Sequence, residues 1–309
     1  MSSRFIYDPV SIASHIFITK YNDKVGEDPS GVLFNKYMTL LHRDGDHKEL
    51  MKLPHCWYRW GDEVVRYHMR NLEWNHEEAG FTKVGWRGSP PRYVSEDPFV
   101  STASEFADEF IGKYSGEKGH ELAIDEVYRD APFQFQNEYR KVRENLKEIR
   151  NNGWISENYR DRMLLPMFEK AMECFPDEFA HIAKTKEQFR KIFMFAVQSD
   201  TTPEMLFAMV EDFWFFFCYH LRIESNENVP KSTIRFWEEK IPWEDEMYSR
   251  NLQDKAFEFV PKDTDDPLLI ELLEERKLRI LESDEIFDIF SSEDLDGLRD
   301  FVKDLRTGK

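Results

Sequence analysis

Five of the nine histidines lie between residues 42 and 76, the stretch of the chain whose residue types could support chemistry. Within it, the string HRDGDH brings together two imidazoles and two carboxylates, from His42, Asp44, Asp46 and His47. Imidazole and carboxylate groups are ligands for divalent ions such as Zn²⁺. The alternative is an exposed turn after a helix, in which these side chains are simply solvated. We adopt that alternative, so the sequence predicts no metal ion and no other cofactor.

The string RNLEWNH offers a second kind of chemistry, through Arg70, Asn71 and His76. The spacing of Arg and His, with a polar residue after the Arg, resembles the motif of the all-helical HEPN ribonucleases. The resemblance implies that the pair would stabilise in-line displacement by the 2′-hydroxyl and transfer protons without a metal ion. The opposing interpretation is an accidental spacing at a helix end, with Arg70 and His76 facing solvent.

An aromatic segment lies between these two strings. It contains Trp57, Tyr58, Arg59, Trp60 and Asp62, with a glycine before the aspartate. Trp, Tyr and Arg are the residue types that carry most of the binding energy at protein–protein interfaces. The segment therefore predicts a partner-binding surface. The competing hypothesis is that Trp57 and Trp60 belong to the core, because Trp is highly buried on average.

The surroundings of this segment resemble the Panacea domain, a helical module of antitoxins and adaptors that bind protein partners. The resemblance is carried by SIASHIFITKY, VLFNKYMTLLHR and YRWGDEVVRY, all within the first 75 residues. Asp62 stands where the family usually has Pro after the Gly. The resemblance implies a non-enzymatic function, as an antitoxin-like inhibitor or an adaptor that occludes its partner with the aromatic surface. A helical scaffold subunit of a larger assembly is a further hypothesis.

The elements that must position these residues are mainly helices. Asp8 and Ser30 are predicted to cap two helices whose apolar residues repeat at three and four positions. Thr102 with Glu105 forms a capping box and predicts the start of another. Further helices are predicted at 135–150, at 163–175, after Thr202, after Asp266 and at 295–305.

Strand signals are confined to the N-terminal part, at residues 54–60 and 81–87, which are rich in aromatic residues. The acidic residues after Gly61 instead suit the first turn of a helix. We therefore predict a mainly α fold, a multi-helix bundle with a small strand element in the N-terminal domain.

Three domains are predicted from helix ends and changes in composition. The first covers residues 1–153 and ends at a glycine after a helix; the second, 154–262, is a bundle around the apolar segment 205–221. Residues 263–309 are predicted to form acidic helices. The apolar segment is too short and too charged, with acidic residues at its centre, to span a bilayer, so no membrane association is expected.

The net charge of −18 is concentrated at the C-terminal end, where residues 244–309 carry 20 acidic and 10 basic side chains. Such a surface repels phosphate backbones, so general nucleic-acid binding is not expected. Cys56, Cys174 and Cys218 are widely spaced, and the first residues have no apolar signal segment. Both features predict a cytoplasmic protein in a reducing environment. The expected binding partner is another protein.

Overall fold

The computed structural model describes residues 8–45, 47–65, 71–76, 82–199 and 201–282. Over these residues the predicted mainly α-helical class is confirmed. Helices make up most of this part of the chain, and its strands form two small antiparallel sheets of two strands each. No helix within the described residues is both long enough and apolar enough to span a membrane.

The elements follow one another in a simple order along the chain. They are α1 (Pro9–Val25), α2 (Gly31–Arg43), α3 (His47–Met51), β1 (His55–Tyr58), β2 (Gly61–Val64), β3 (Leu72–His76), β4 (Thr82–Trp86), α4 (Pro98–Tyr114), α5 (Gly119–Tyr128), α6 (Gln134–Ile149), α7 (Glu157–Tyr159), α8 (Leu165–Glu173), α9 (Ala183–Gln198), α10 (Pro203–Glu224), α11 (Lys231–Glu238), α12 (Ile241–Phe259) and α13 (Pro267–Glu282). A π-helical turn at Arg160–Leu164 precedes α8, and a 3₁₀ segment at Asp177–Ile182 precedes α9.

The chain divides into two compact units that differ from the three predicted domains. Unit 1 combines Met1–Asn137 with Phe217–Ile241, and unit 2 combines Glu138–Phe216 with Pro242–Lys309. Each change of unit falls within a helix, namely α6, α10 and α12. The predicted boundaries at 153 and 262 followed local composition. Composition along the chain carries no sign that a later segment returns to an earlier unit.

Local capping explains where several helices begin. Asp8 Oδ1 accepts a hydrogen bond from the Ser11 amide at 3.0 Å, and Ser30 Oγ accepts one from the Leu33 amide at 3.2 Å. These bonds satisfy amides that have no partner within the helix, and both predicted starts are confirmed.

The predicted start at Thr102 is wrong, because the residue that caps α4 lies five positions earlier. Asp97 caps this helix by accepting a hydrogen bond from the Phe99 amide at 2.9 Å, with Pro98 in the first helical position. Thr102 instead bonds back to the Pro98 carbonyl at 2.9 Å from inside the helix. An Asp-Pro pair upstream thus outweighs the Thr102–Glu105 capping pattern.

Unit 1 is organised around aromatic side chains from α1, α2 and α4. The rings of Phe17 and Tyr37 stack with their centroids 4.1 Å apart, and Phe110 packs edge-on against both. The Tyr37 hydroxyl donates a hydrogen bond to the Ala103 carbonyl at 3.1 Å, which removes the cost of burying it. These contacts join α1, α2 and α4 into one aromatic core.

Residues Gly61–Val64 form strand β2, so the predicted helix start after Gly61 is wrong. The strand pairs antiparallel with β1, with Tyr58 opposite Gly61 and His55 opposite Val64. Gly61 has a φ of +96°, and a Cβ there would lie 3.0 Å from the Tyr128 ring. A glycine is required because it tolerates both the left-handed backbone and this close approach.

Unit 2 is centred on aromatic residues of α9, α10 and α12. The Phe189 and Phe213 rings stack at 4.4 Å, as do those of Phe216 and Tyr248. The predicted helix start after Thr202 is confirmed, because Thr202 Oγ1 accepts a hydrogen bond from the Met205 amide at 3.3 Å. The helix predicted at 295–305 lies outside the described residues.

Candidate functional site

The β1–β2 hairpin presents two groups of side chains with different surroundings, both within unit 1. We call the first group the hairpin base; it consists of His42, Arg43, His55, Asp62 and Glu227. We call the second group the hairpin tip; it consists of Tyr58, Arg59, Trp60, Tyr219 and Arg222.

Helix α2 positions the base because one of its polar faces is buried against β2. Asn35 accepts a hydrogen bond from the Val64 amide at 3.1 Å, and the ammonium of the fully buried Lys36 donates one to the Asp62 carbonyl at 3.0 Å. These bonds satisfy backbone groups that the two-stranded sheet leaves without partners. They also explain why the acidic segment after Gly61 is a strand held by tertiary contacts.

Asp62 is the centre of the charged network at the base, and it is fully buried. One carboxylate oxygen lies 2.6 Å from His55 Nδ1, and the other lies 2.6 Å from an Arg43 guanidinium nitrogen. Burial alone would raise the pKa of Asp62. The His55 hydrogen bond and the positive charges of Arg43 and Lys36, joined by that of His55 when its ring is protonated, outweigh it, so the pKa lies below its ordinary value.

His42 is buried beside His55, with the two ring centroids 5.0 Å apart. Neither ring nitrogen of His42 has a hydrogen-bond partner among the described residues. Burial, with a smaller contribution from His55, lowers the pKa of His42 to about 4. The ring is therefore neutral near pH 7, and one of its nitrogens carries an available lone pair.

Glu227 reaches the base from the segment that follows α10. Its backbone pairs with His55 in both directions, with N···O distances of 3.0 and 2.9 Å. One carboxylate oxygen lies 3.4 Å from His55 Nε2, and the other lies 3.0 Å from the Lys48 ammonium. Burial would raise the pKa of Glu227, but the Lys48 hydrogen bond, with the charge of His55 when its ring is protonated, lowers it overall. One potential ligand atom from each of His42, His55 and Glu227 lies within 4.8 Å of the other two.

The tip is a two-residue turn with cations stacked on aromatic rings. Trp60 is 49% exposed, and its amide donates a hydrogen bond to the Glu63 carboxylate at 3.1 Å. The Arg59 guanidinium lies 5.5 Å from the Tyr58 ring centroid. The Arg222 guanidinium lies 5.4 Å from the same centroid and 4.7 Å from that of Tyr219.

The predicted partner-binding residues are divided between the surface and the interior. Trp57 is 5% exposed and packs edge-on against Tyr128, with ring centroids 5.4 Å apart. Asp62 is also buried, so neither residue can contribute to an exposed surface, and the prediction is wrong for both. Along a strand, successive side chains face opposite sides, which separates Trp57 from Tyr58. Trp60 is not a core residue.

The alternative metal site in the HRDGDH string does not gain a convergent set of ligands among the described residues. Asp44 is exposed and lies 3.9 Å from His47 Nδ1, while the His47 ring packs on Phe99. His42 points instead into the base, and Asp46 lies outside the described residues. No sequence spacing connects His42 to its actual neighbours, His55 and Glu227. The sequence did contain one signal for this site: polar residues recur along α2 at the spacing that places them on one face of the helix.

The described part of the ribonuclease-like string, residues 71–76, lies at a strand. Asn71 precedes β3, and His76 is the last residue of that strand, opposite Thr82 in β4. Arg70 lies outside the described residues. The nuclease hypothesis stays a prediction, although its described residues from 72 to 76 form a strand of a hairpin and not a helix.

Comparisons with protein-family models, with curated proteins and with solved structures gave no match for this chain. The Panacea resemblance therefore also stays a prediction.

Proposed function

We propose that this protein acts by binding a protein partner through the hairpin tip, as an adaptor or an antitoxin-like inhibitor. The observation that carries the proposal is Trp60, a half-exposed indole at the end of a hairpin whose base is buried. A large aromatic side chain on a rigid turn can enter a partner's pocket with little loss of conformational entropy. Arg59 and Tyr58 beside it are of the residue types that flank such anchors.

The charge of the tip indicates the chemistry of the partner. Arg222 contacts the rings of Tyr58, Tyr219 and Trp237, and it makes no hydrogen bond or ion pair with the described residues. A guanidinium in this state retains its capacity for bidentate bonds to carboxylates. In a chain of net charge −18, a positively charged aromatic surface favours an acidic segment of the partner.

The proposal is tested by replacing Trp60 with a photo-crosslinking benzoylphenylalanine and recovering adducts from the native host. We expect one dominant protein adduct, formed at a surface that contains acidic residues. The matched control is the same replacement at Trp243, which is 57% exposed in unit 2. Adducts that are identical at both positions would contradict the proposal.

Variants separate a loss of binding from a loss of fold. Trp60→Ala and Arg222→Gln should each release the partner from a tagged bait, whereas Trp243→Ala should retain it. Circular dichroism must show unchanged helicity in all three variants. Recovery of RNA would direct attention to the ribonuclease hypothesis at Arg70 and His76, and recovery of the chain itself would favour the scaffold hypothesis.

A further inference from the structure

We propose that the hairpin base is a binding site for a divalent transition-metal ion, with His42, His55 and Glu227 as ligands. Asp62 is not a ligand in this proposal; it orients His55 from the other side of the ring. The site is independent of the partner-binding tip and lies entirely within unit 1.

The three ligands converge from separate parts of the chain. His42 lies in the last turn of α2, His55 begins β1, and Glu227 follows α10, yet their ligand atoms lie within 4.8 Å of one another. In a tetrahedral site with bonds of about 2.0–2.1 Å, neighbouring ligand atoms lie about 3.3–3.4 Å apart. The separation of 3.4 Å between His55 Nε2 and a Glu227 oxygen matches such an edge. The other separations between ligand atoms, which lie within 4.8 Å, must shorten when the ion binds.

The contact with Asp62 fixes the tautomer of His55. Asp62 accepts a hydrogen bond from His55 Nδ1 at 2.6 Å, so in the neutral ring Nε2 carries a lone pair. That lone pair faces the Glu227 carboxylate at 3.4 Å, and two acceptors repel unless a cation or a proton lies between them. A protonated ring would donate a hydrogen bond from Nε2 to that carboxylate, but Nε2 makes none with the described residues.

The two buried rings carry nitrogen atoms without hydrogen-bond partners among the described residues. Neither nitrogen of His42, nor Nε2 of His55, has a hydrogen-bond partner among the described residues. Both residues are at least nine-tenths buried, at 1% and 7% exposure. Buried polar atoms without partners are rare in folded proteins and call for an unseen ion or water. A metal ion would use one lone pair from each ring.

The outer contacts have the arrangement that holds a metal-binding histidine in place. A carboxylate bonded to the distal ring nitrogen fixes the tautomer and makes the other nitrogen a stronger ligand. Arg43 in turn holds the second oxygen of Asp62 at 2.6 Å, so the carboxylate is itself oriented. Lys48 occupies one oxygen of Glu227 and leaves the other directed toward His55.

The ligand set selects the class of ion. Two imidazoles and one carboxylate suit Zn²⁺, Fe²⁺ or Co²⁺, whereas Mg²⁺ and Ca²⁺ require oxygen ligands. Three protein ligands leave a further coordination position for water or an external donor.

The test is a titration of the metal-stripped full-length chain with Zn²⁺ and Co²⁺. We expect one tight site per chain, and absorption bands in the visible range that report tetrahedral Co²⁺. His42→Ala, His55→Ala and Glu227→Gln should each abolish these bands. Asp62→Asn should weaken binding 10–100-fold while retaining them, as expected for an outer-shell partner. His47→Ala is the matched control and should bind as tightly as the unmodified chain.

Several outcomes would overturn the proposal. These are the absence of a stoichiometric Co²⁺ spectrum, a spectrum that survives both His42→Ala and His55→Ala, and Mg²⁺ binding as strong as that of Zn²⁺. If an alanine variant unfolds, His42→Gln and Glu227→Gln preserve the side-chain volume closely enough to give the same answer. If the tip bound no partner but the chain still bound the metal ion, the proposed function would be contradicted and the metal-site proposal would be unaffected.

Discussion

The base and the tip of one short hairpin differ in what they bury: the base buries a charged group, and the tip exposes an aromatic one. At the base, Asp62 is fully buried and its charge is compensated by His55 and Arg43 at 2.6 Å each. At the tip, Trp60 is half exposed and Arg222 stacks on aromatic rings without an ion pair to the described residues. The comparison teaches that a strongly polar segment can form an interior, while a strongly aromatic one can form a surface.

The largest expected effect separates the two tryptophans. Trp57→Ala should lower the free energy of unfolding by about 3–5 kcal/mol, because it empties a large buried volume. Urea denaturation followed by circular dichroism measures the difference. A cost below about 1 kcal/mol would mean that the hairpin repacks easily around the missing ring. The buried and the exposed tryptophan would then contribute similarly to the free energy of unfolding.

The next effect depends on the ion proposed at the base. Zn²⁺ at 100 times its dissociation constant should raise the free energy of unfolding by about 2.7 kcal/mol through binding to the folded state. Thermal denaturation with and without a chelator measures this shift. The His55→Ala variant should show no such shift, and an equal shift in that variant would place the ion elsewhere.

Removal of the central charge at the base should cost less than loss of the buried indole. Asp62→Asn leaves Arg43 and Lys36 with one fewer compensating charge, and about 2 kcal/mol of stability should be lost. The estimate is moderate because Arg43 is partly exposed and also pairs with Asp130 at 3.1 Å. Asp44→Asn, at an exposed position outside the network, is the control and should be neutral in the same urea titration.

At the tip, the planar shape of the Arg222 guanidinium should contribute to the stability of the fold. Arg222→Lys keeps the charge but removes the planar group that contacts Tyr58, Tyr219 and Trp237, so about 1 kcal/mol should be lost. Denaturant midpoints resolve a change of this size when the slope is unchanged. An equally stable lysine variant would show that charge suffices at this position.

The smallest effect is expected at the exposed indole. Trp60→Ala should change the free energy of unfolding by no more than about 0.5 kcal/mol, since half of the side chain already contacts solvent. The same denaturation experiment as for Trp57→Ala provides the comparison. A large loss would place Trp60 among the core residues and remove the basis for a partner-binding tip.

Sequence reasoning succeeded where the deciding interactions are local. The caps at Asp8, Ser30 and Thr202 each involve a bond within three residues, and the predicted starts are confirmed. It failed at Thr102, where two local signals compete, and after Gly61, where an acid-rich turn was expected. In the second case the buried partners Asn35 and Lys36 outweigh the local preference.

The sequence by itself determined the helical class, the short strands near residues 55 and 82, and the predicted helix starts confirmed here. Capping and hydrophobic periodicity act over a few residues, so they can be read along the chain. Only the tertiary structure decided that His42, His55 and Glu227 meet, and that residues 217–241 return to unit 1. Such encounters depend on packing between segments far apart in sequence, and no local pattern encodes them.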